Sequence, residues 1–389
     1  MIPYGRQDIS EDDIAAVVAV LRSDWITQGP AVPAFEQAIA SYVGARHAIA
    51  VANGTAALHL ACLALGLGPG DRLWTVPNTF VATANAGLYC GATVDFVDID
   101  PKSYLISVDA LEQKLAVAER EGRLPKIVIP VHFAGQSCDM RAIHALGRRY
   151  GFRIVEDAAH AIGADYLDGK VGNGRYSDIA VFSFHPVKIV TTGEGGALTT
   201  NDPALAARLS ELRTHGITRE PERMQGPSEG AWYYQQVDLG FNYRLTDIQA
   251  ALGVSQMTRL DAFVAQRRRL AARYDERLSN LPLITPWQTP DSRSAYHLYP
   301  IQLRLDRLRK SRREIFDALR AAGIGVQVHY IPVHLQPYYR ALGFKEGDFP
   351  EAERYYAGAV TLPLYATLTE AEQDTVIDRL GAIVTAAAA

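Results

Sequence analysis

One lysine stands between two apolar runs, in a frame of small and hydroxyl residues. Lys188 follows the run Ile179–Phe184, and the stretch Thr191–Gly196 separates it from a second run, Ala197–Thr200. A lysine amine attacks a bound carbonyl compound only when it is held in place and partly desolvated. The frame therefore predicts a nucleophilic lysine, although a solvated lysine in a surface loop would fit the same residues.

A carboxylate closes another apolar run. Asp157 follows Arg153–Val155 directly, and His160 lies three residues further on. An aspartate in this place can cap the helix that follows. It can also serve as a buried anion that fixes a protonated ring nitrogen, so two interpretations stay open.

Two further strand-to-helix junctions carry groups that suit a ligand. Gly54 and Thr55 follow a strand-like run and open a helix, so their backbone N–H groups are placed to hold a phosphate. No Walker lysine pattern and no complete dinucleotide fingerprint accompany them, which argues against a nucleotide triphosphatase or a Rossmann dehydrogenase. Phe80 lies at the second junction. Its ring either packs in the core or stacks on a planar cofactor.

Together these residues indicate one cofactor. A lysine amine, an aspartate after a strand, a phosphate cradle and an aromatic plate are the parts that hold pyridoxal phosphate. The lysine forms the Schiff base, and the aspartate keeps the pyridine nitrogen protonated so that the ring acts as an electron sink.

The elements that must position these groups alternate between strand and helix. The predicted strands are 48–52, 73–76, 93–97, 127–131 and 153–155, and helices are predicted after Ser10, around 35–42 and between those strands. Such repeats predict an α/β fold with a mainly parallel sheet between helices. Ligands in these sheets bind at the carboxyl ends of the strands.

Prolines and polar residues between 282 and 294 predict a domain boundary. We expect a large domain over 1–280, with an N-terminal helical segment, and a small α+β domain over 281–389. One long helix, straight or bent, is predicted over 246–278, and the small domain should contain strands at 297–303 and 325–330. The aromatic segment 217–236 is expected to be a mobile or interfacial loop.

Composition narrows the class of protein. The 389 residues carry 39 basic and 43 acidic side chains, a net charge of −4, which gives no reason to expect a nucleic-acid partner. No apolar run reaches membrane-spanning length and no signal peptide is visible, so we expect a cytoplasmic protein without a membrane partner. The three cysteines suggest no disulfide frame. His329 and His334 lack further ligands at metal-binding spacing, so no metal is expected.

Five stretches resemble a known family over nearly the whole chain: 53–58, 77–85, 156–163, 183–196 and 240–249. The family is that of the sugar-nucleotide aminotransferases (DegT/DnrJ/EryC1/StrS type), which have the fold type I of aspartate aminotransferase. Three more stretches, 2–6, 25–30 and 327–332, most resemble the group that aminates C4 of a sugar in pseudaminic acid biosynthesis.

The resemblance implies a role for each matching position. Lys188 would be the Schiff-base lysine and proton shuttle, Asp157 would pair with the pyridine nitrogen, and His160 would lie near the phenolic oxygen. The phosphate would be held by Gly54, Thr55 and Ser183 of one subunit and Asn242 of its partner, with Phe80 stacked on the ring. The residues implied in the sugar-nucleotide pocket are Tyr4, Asp24, Trp25, Ile26, Thr27, Tyr243, Gln327, Val328, His329 and Tyr330.

The implied reaction is transfer of an amino group from L-glutamate to the 4-keto group of a UDP-linked 2-acetamido-2,6-dideoxy sugar, in a homodimer with shared active sites. Another keto sugar, such as a 4-keto pentose or a 3-keto or 4-keto hexose on dTDP or GDP, is the first alternative. A regulator that binds the cofactor without turnover is a remote one. The related 3-dehydratases are disfavoured because they lack the lysine that Lys188 supplies.

Overall fold

The computed structural model describes residues 1–388. The strands are β1 His47–Val51, β2 Arg72–Thr75, β3 Thr93–Phe96, β4 Ile127–Val128, β5 Arg153–Asp157, β6 Asp165–Tyr166, β7 Gly169–Lys170, β8 Ile179–Ser183, β9 Gly196–Thr200, β10 Ile217–Thr218, β11 Gln235–Gln236, β12 Leu283–Ile284, β13 Ser292–Arg293, β14 Tyr299–Leu303 and β15 Ala359–Leu362.

The helices are α1 Glu11–Leu21, α2 Ala31–Val43, α3 Gly54–Ala64, α4 Val81–Tyr89, α5 Val108–Arg120, α6 Met140–Tyr150, α7 Pro203–Leu212, α8 Asp247–Met257, α9 Leu260–Leu278, α10 Arg312–Ala321, α11 Pro337–Ala341, α12 Pro350–Gly358 and α13 Glu370–Ala386. Among these described residues, no helix combines the length and the apolar character that a bilayer crossing requires.

A seven-stranded sheet forms the centre of the large unit, in the order β1–β9–β8–β5–β4–β2–β3. The pairs from β8 through β5, β4 and β2 to β3 are parallel, while β9 runs antiparallel to both of its neighbours. Every residue of β9 is buried, as expected of a strand covered on both faces. The predicted α/β fold with a mainly parallel sheet is confirmed.

Local signals in the sequence set where the first helices begin. The hydroxyl of Ser10 accepts the N–H of Asp13, and Asp13 accepts the N–H of Ser10 at 2.8 Å, which forms a capping box at the start of α1, the helix predicted after Ser10. The amide oxygen of Asn53 accepts the N–H of Ala56 at 2.8 Å at the start of α3. These caps satisfy N–H groups that the helix itself leaves free.

The single helix predicted over 246–278 is two helices in the structure. The α-helical hydrogen-bond pattern is interrupted at Thr258 and Arg259, whose N–H groups bond three residues back, to the carbonyls of Ser255 and Gln256. The Arg259 guanidinium forms ion pairs with Asp8 and Asp13 near α1. Contacts with the N-terminal segment therefore accompany the break, and the sequence of the helix itself does not show it.

A second hydrophobic core lies in the small unit, around the antiparallel sheet β12–β14–β15. It includes Leu270, Tyr274 and Leu278 of α9, which precede the predicted boundary at 280. Helix α9 thus contributes to the core of the unit that follows it. The division into 1–280 and 281–389 stays a prediction, and its last residue, Ala389, lies outside the described residues.

The strand predicted at 325–330 is wrong. Only Gln327 pairs in this segment, with Thr361. The neighbouring backbone groups bond elsewhere: the N–H of Gly325 donates to the carbonyl of Ile2 at 2.7 Å, and the carbonyl of His329 accepts the Tyr355 hydroxyl at 2.9 Å. A strand pairs with one neighbouring strand over several residues. The backbone groups of this segment instead bond to several different elements, so no strand forms.

Candidate active site

A cavity of about 840 Å³ opens at the carboxyl ends of the parallel strands. This is the edge of the sheet at which ligands bind in α/β folds. Eleven of the residues predicted to form the site line it: Tyr4, Gly54, Thr55, Phe80, Asp157, His160, Ser183, Lys188, Tyr243, His329 and Tyr330. Residues distributed from position 4 to position 330 of the chain thus meet in one place.

Lys188 lies half-buried in this cavity, five residues after β8 ends. Burial lowers the pKa of its amine from 10.5 to about 8, although the charge of Asp157 opposes the shift. A substantial fraction of neutral amine is therefore present near physiological pH, which a nucleophilic lysine needs.

The frame around Lys188 is fixed by hydroxyl groups. Thr191 donates its hydroxyl to the carbonyl of Phe184 at 3.1 Å, and Thr192 donates to the carbonyl of Glu194 at 2.7 Å. At Gly196 an added Cβ would lie 2.5 Å from the carbonyl oxygen of Asn53. The glycine therefore lets β9 pass against the beginning of α3.

Asp157 ends β5 and is 5% exposed. Its Oδ2 accepts the Thr83 hydroxyl at 2.7 Å, and its Oδ1 accepts the N–H of Ala159 at 3.1 Å. One bond on each oxygen fixes the orientation of the carboxylate. The N–H of Ala159 belongs to the turn after β5, because no α-helix begins there, so the helix-cap interpretation does not hold.

A cradle for an anion lies at the start of α3. Within residues 1–388 the N–H groups of Gly54 and Thr55 donate to no carbonyl or side chain. A Cβ added to Gly54 would lie 3.0 Å from the Cβ and 3.3 Å from the hydroxyl oxygen of Ser183, so the serine faces this turn. Two free N–H groups, a hydroxyl and a helix N-terminus suit a phosphate.

Phe80 is 58% exposed at the N-terminal end of α4 and lines the cavity. Its ring centre lies 6.4 Å from that of Tyr330. A ring this exposed contributes little to the core, so the core-packing interpretation does not describe it. The ring is available to a planar ligand.

Three buried histidines, His160, His297 and His329, line the same cavity without adding charge. Burial lowers the pKa of His160 and His297 well below the ordinary value, and that of His329 to about 3; the positive charge of Lys188 lowers each further. The Nε2 of His160 lies 3.1 Å from the Tyr330 hydroxyl, and its buried Nδ1 has no hydrogen-bond partner among residues 1–388. Neutral rings supply hydrogen-bonding groups beside Lys188 and leave its amine the main cation there.

Seven predicted residues do not line the cavity of this chain. The segment Asp24–Thr27 is exposed, with Trp25 and Ile26 projecting from the loop after α1. Asn242 and Gln327 are exposed and Val328 is half-buried, all outside the lining. For these positions the assigned roles stay predictions.

Several lining residues were not predicted, among them Thr83, Tyr89, Glu194 and His297. Thr83 falls inside the stretch 77–85 that carries the resemblance, so its hydroxyl in the first turn of a helix was a usable signal. No comparable local signal marks His297, which reaches His160 from 137 positions away in the chain, at 4.4 Å between ring centres.

Comparison with known proteins places this site in a family. Residues 7–381 match the model of the DegT/DnrJ/EryC1/StrS aminotransferase family. The chain belongs to this family. It is a sugar aminotransferase that depends on pyridoxal phosphate, as the motifs around Lys188 predicted.

Individual members of the family are similar along almost their whole length. The spore coat polysaccharide biosynthesis protein SpsC of Bacillus subtilis is 41% identical over 98% of this chain and 97% of its own. Helicobacter pylori PseC, an aminotransferase involved in the biosynthesis of pseudoaminic acid, is 29% identical, with a TM-score of 0.91 over 99% of both chains. The putative sugar aminotransferase Spr1654 of Streptococcus pneumoniae, in its PLP-form, is 30% identical, with a TM-score of 0.89 over 99% of both chains.

The residues of this aminotransferase fit the cofactor. A Cβ at position 54 would intrude on the anion cradle beside Ser183, and the Nδ1 of His160 is a buried polar atom that lacks a partner among residues 1–388. Lys188 and Asp157 supply an amine of lowered pKa and a fixed carboxylate in the same cavity. These groups suit the aldehyde, ring nitrogen, phenolic oxygen and phosphate of pyridoxal phosphate.

Proposed function

We propose that this aminotransferase transfers the amino group of L-glutamate to C4 of a UDP-linked 2-acetamido-2,6-dideoxy-hexos-4-ulose. The product would be a UDP-4-amino-4,6-dideoxy-N-acetylhexosamine of the kind used for pseudaminic acid. The observation that carries the proposal is that polar aromatic side chains line the cavity around Lys188. They are Tyr4, Tyr243, His329 and Tyr330. The structural similarity to PseC supports the choice of sugar.

The proposed reaction uses reactive groups of the cofactor and side chains of the protein that hold it. Pyridoxal phosphate, when bound, supplies the carbonyl that takes up an amino group and a ring that withdraws electrons from the reacting carbon. In our proposal Gly54, Thr55 and Ser183 hold its phosphate, and Phe80 covers its ring. Asp157 faces the ring nitrogen, and two hydrogen bonds fix the orientation of its carboxylate.

Lys188 would move the proton in both halves of the reaction. Its Nζ takes a proton from the α-carbon of the amino donor and returns one to the sugar carbon that receives the amine. A pKa of about 8 suits both directions, because the amine exists in both protonation states near neutral pH. The neutral rings of His160 and His329 do not compete for that proton, since burial lowers their pKa values.

The keto sugar would lie against polar groups that are already oriented. His329 Nδ1 is 2.8 Å from the Thr361 hydroxyl, and the ring of Tyr4 lies 5.5 Å from that of His329. The segment after β15 holds Tyr4 in place, because the N–H of Leu364 donates to the Tyr4 carbonyl at 3.0 Å. Hydroxyl and imidazole groups that are already fixed can bind sugar hydroxyl and amide groups with little further loss of side-chain entropy.

We further propose that the site is shared across a homodimer. Of the cavity-lining residues within 1–388, Lys188 is the sole lysine or arginine, yet a UDP sugar carries a diphosphate. Asn242 is exposed, outside the cavity of its own chain, and large apolar side chains such as Trp232 and Leu239 are 71% and 77% exposed nearby in sequence. An exposed apolar surface of this kind suits a subunit interface.

A panel of keto-sugar nucleotides assayed with L-glutamate tests the proposal. The purified enzyme should aminate the UDP-linked 4-keto-6-deoxy N-acetylhexosamine with a kcat/KM at least about 10-fold above that for dTDP- or GDP-linked sugars. Lys188→Ala protein is the matched control for background exchange. A clear preference for dTDP or GDP sugars would refute the substrate while leaving the aminotransferase activity intact.

A second candidate is favoured by the identity to SpsC, which at 41% exceeds the 29% to PseC. In that case the enzyme would aminate a different nucleotide-linked keto sugar. A UDP substrate poorer than a 4-keto hexose on dTDP in the same panel would support this second candidate.

A further inference from the structure

Two buried threonines form a chain of hydroxyl groups that ends on Asp157. The Thr83 hydroxyl lies 2.7 Å from Asp157 Oδ2, and the Thr79 hydroxyl lies 2.8 Å from that of Thr83. Thr79 is 3% and Thr83 is 1% exposed. Thr79 precedes α4 and Thr83 lies in its first turn, 74 positions before Asp157 in the chain.

The chemistry of the groups fixes the direction of the chain. An ionised carboxylate accepts hydrogen bonds and cannot donate, so the Thr83 proton must point to Asp157. The oxygen of Thr83 is then the acceptor for Thr79, whose proton points the same way. Both hydroxyl protons therefore point toward Asp157, and aligned hydrogen bonds polarise one another in a site of low dielectric.

A merely structural role explains this arrangement poorly. Threonine is disfavoured inside helices, where its hydroxyl commonly bonds to a carbonyl of the preceding turn. In α4 the hydroxyl of Thr83 instead reaches a carboxylate 74 positions away in the chain. Valine has the same shape and would fill the space without a buried hydroxyl.

We propose that Thr83, supported by Thr79, is a positioning residue that holds the Asp157 carboxylate in the rotation that faces the ring nitrogen of the cofactor. The proposal rests on the assignment of Asp157 given under the proposed function. With Thr83 occupying Oδ2 and the N–H of Ala159 occupying Oδ1, the carboxylate keeps one rotation, and the proton it shares with the ring stays on the ring.

Thr83→Val and Thr83→Ser test the role of the hydroxyl. Thr83→Val should weaken binding of pyridoxal phosphate on the order of 10-fold, the effect of losing one hydrogen bond to a charged group. It should also shift the pH at which the bound chromophore changes its absorption by about one unit. Thr83→Ser keeps the hydroxyl and should restore both properties. Fluorescence titration and spectra recorded across pH measure them without any sugar substrate.

A double-mutant cycle with Asp157→Asn separates positioning from packing. If Thr83 acts through the carboxylate, Thr83→Val should add less than about 2-fold to the loss of cofactor affinity in the Asp157→Asn background. Equal losses in the two backgrounds would show that Thr83 only supports the fold, and would overturn the proposal.

Two outcomes of the same cycle tell the proposals apart. If Asp157→Asn itself leaves cofactor affinity and spectrum unchanged, the assignment of Asp157 fails. If Asp157→Asn has its effect and Thr83→Val has none, only the positioning role fails. Thr79→Val should produce a smaller change than Thr83→Val, because its hydroxyl is one bond further from the carboxylate; a larger change would contradict the direction of the chain.

Discussion

Lys188 is the residue whose environment most affects the chemistry of this enzyme. Burial lowers the pKa of its amine because the charged form loses solvation, and Asp157 restores only part of that loss. The proton therefore leaves as pH rises through about 8 instead of 10.5. Below that pH the amine is protonated and cannot attack a carbonyl.

We predict that capture of pyridoxal phosphate by the apo protein accelerates with pH and levels off above pH 8 to 9, around the pKa of about 8 of Lys188. Stopped-flow absorption, followed by borohydride reduction and peptide mapping, measures the rate and locates the adduct. Lys188→Ala protein should give no adduct at this position. A rate that still rises tenfold per unit at pH 10 would contradict the lowered pKa.

Substitution of Phe80 should affect cofactor binding and leave the stability of the fold nearly unchanged. The ring is 58% exposed, so Phe80→Ala should change the free energy of unfolding by no more than about 0.5 kcal/mol. Loss of the aromatic face should weaken cofactor binding by about 3- to 10-fold. Urea unfolding of the apo protein and fluorescence titration measure the two quantities.

Phe184 provides the matched control for Phe80. It is fully buried, with its ring centre 5.1 Å from that of Phe35. Phe184→Ala should therefore cost about 3–5 kcal/mol of stability. A Phe80→Ala protein as unstable as this control would show that Phe80 belongs to the core.

The turn at Gly135 lies close to the backbone of residues 296–297 and of His160, and only a glycine leaves room for this approach. Gly135 has φ +104°, and a Cβ there would lie 2.8 Å from the N of Tyr296 and 3.0 Å from the N of His297 and the O of His160. The N–H of Ala295 donates to the Gly135 carbonyl at 3.0 Å. This turn thus fixes the segment that carries His297 against His160.

Gly135→Ala should destabilise the protein by at least about 2 kcal/mol, because strained backbone and contact with rigid backbone atoms add. Gly122→Ala is the control, since its φ of +63° is also left-handed but no heavy atom lies within 4 Å of the added Cβ. That control should lose about 1 kcal/mol. Equal losses in urea unfolding would show that the close approach contributes nothing.

At the scale of the whole molecule, the proposed homodimer makes a direct prediction. Lys188→Ala and Asn242→Ala chains should each be inactive or nearly so, because each lacks one part of every site. After equal amounts are mixed and reassociated at random, about a quarter of the sites should combine an intact Lys188 with an intact partner Asn242, because half of the dimers are mixed and each has one intact site. Activity recovered on mixing, with a mass by light scattering of twice 42.6 kDa, is the expected result.

The control for the mixing experiment is a pair of variants from the same side of the site, Lys188→Ala with Asp157→Ala. Both residues line the cavity of one chain, so each site of a mixed dimer lacks one of them and no recovery is expected on mixing. A second control mixes the double variant Lys188→Ala/Asn242→Ala with wild type. No site of such a mixed dimer has both residues intact if the sites are shared. Absence of any recovery from the first pair would contradict sharing.

The sequence predicted individual elements better than their junctions. The strands β5 and β8, which lead to Asp157 and Lys188, and the helix α1 after Ser10 follow from local apolar runs and a cap, so the sequence could predict them. The break between α8 and α9 was not, because Arg259 bonds to Asp8 and Asp13, which are remote in sequence. The false strand at 325–330 has the same origin, since Ile2 takes the bonds of Gly325.

The sequence by itself determined the mainly parallel sheet and the cofactor, because strand–helix repeats and the residues at strand ends are local features of the chain. It also placed Lys188, Asp157 and the Gly54–Thr55 turn at the same edge of that sheet. Only the tertiary structure decided which groups surround them. Thr83 reaches Asp157 and His297 reaches His160 across long stretches of chain. Such contacts depend on how separate elements pack, and local residue patterns do not record that packing.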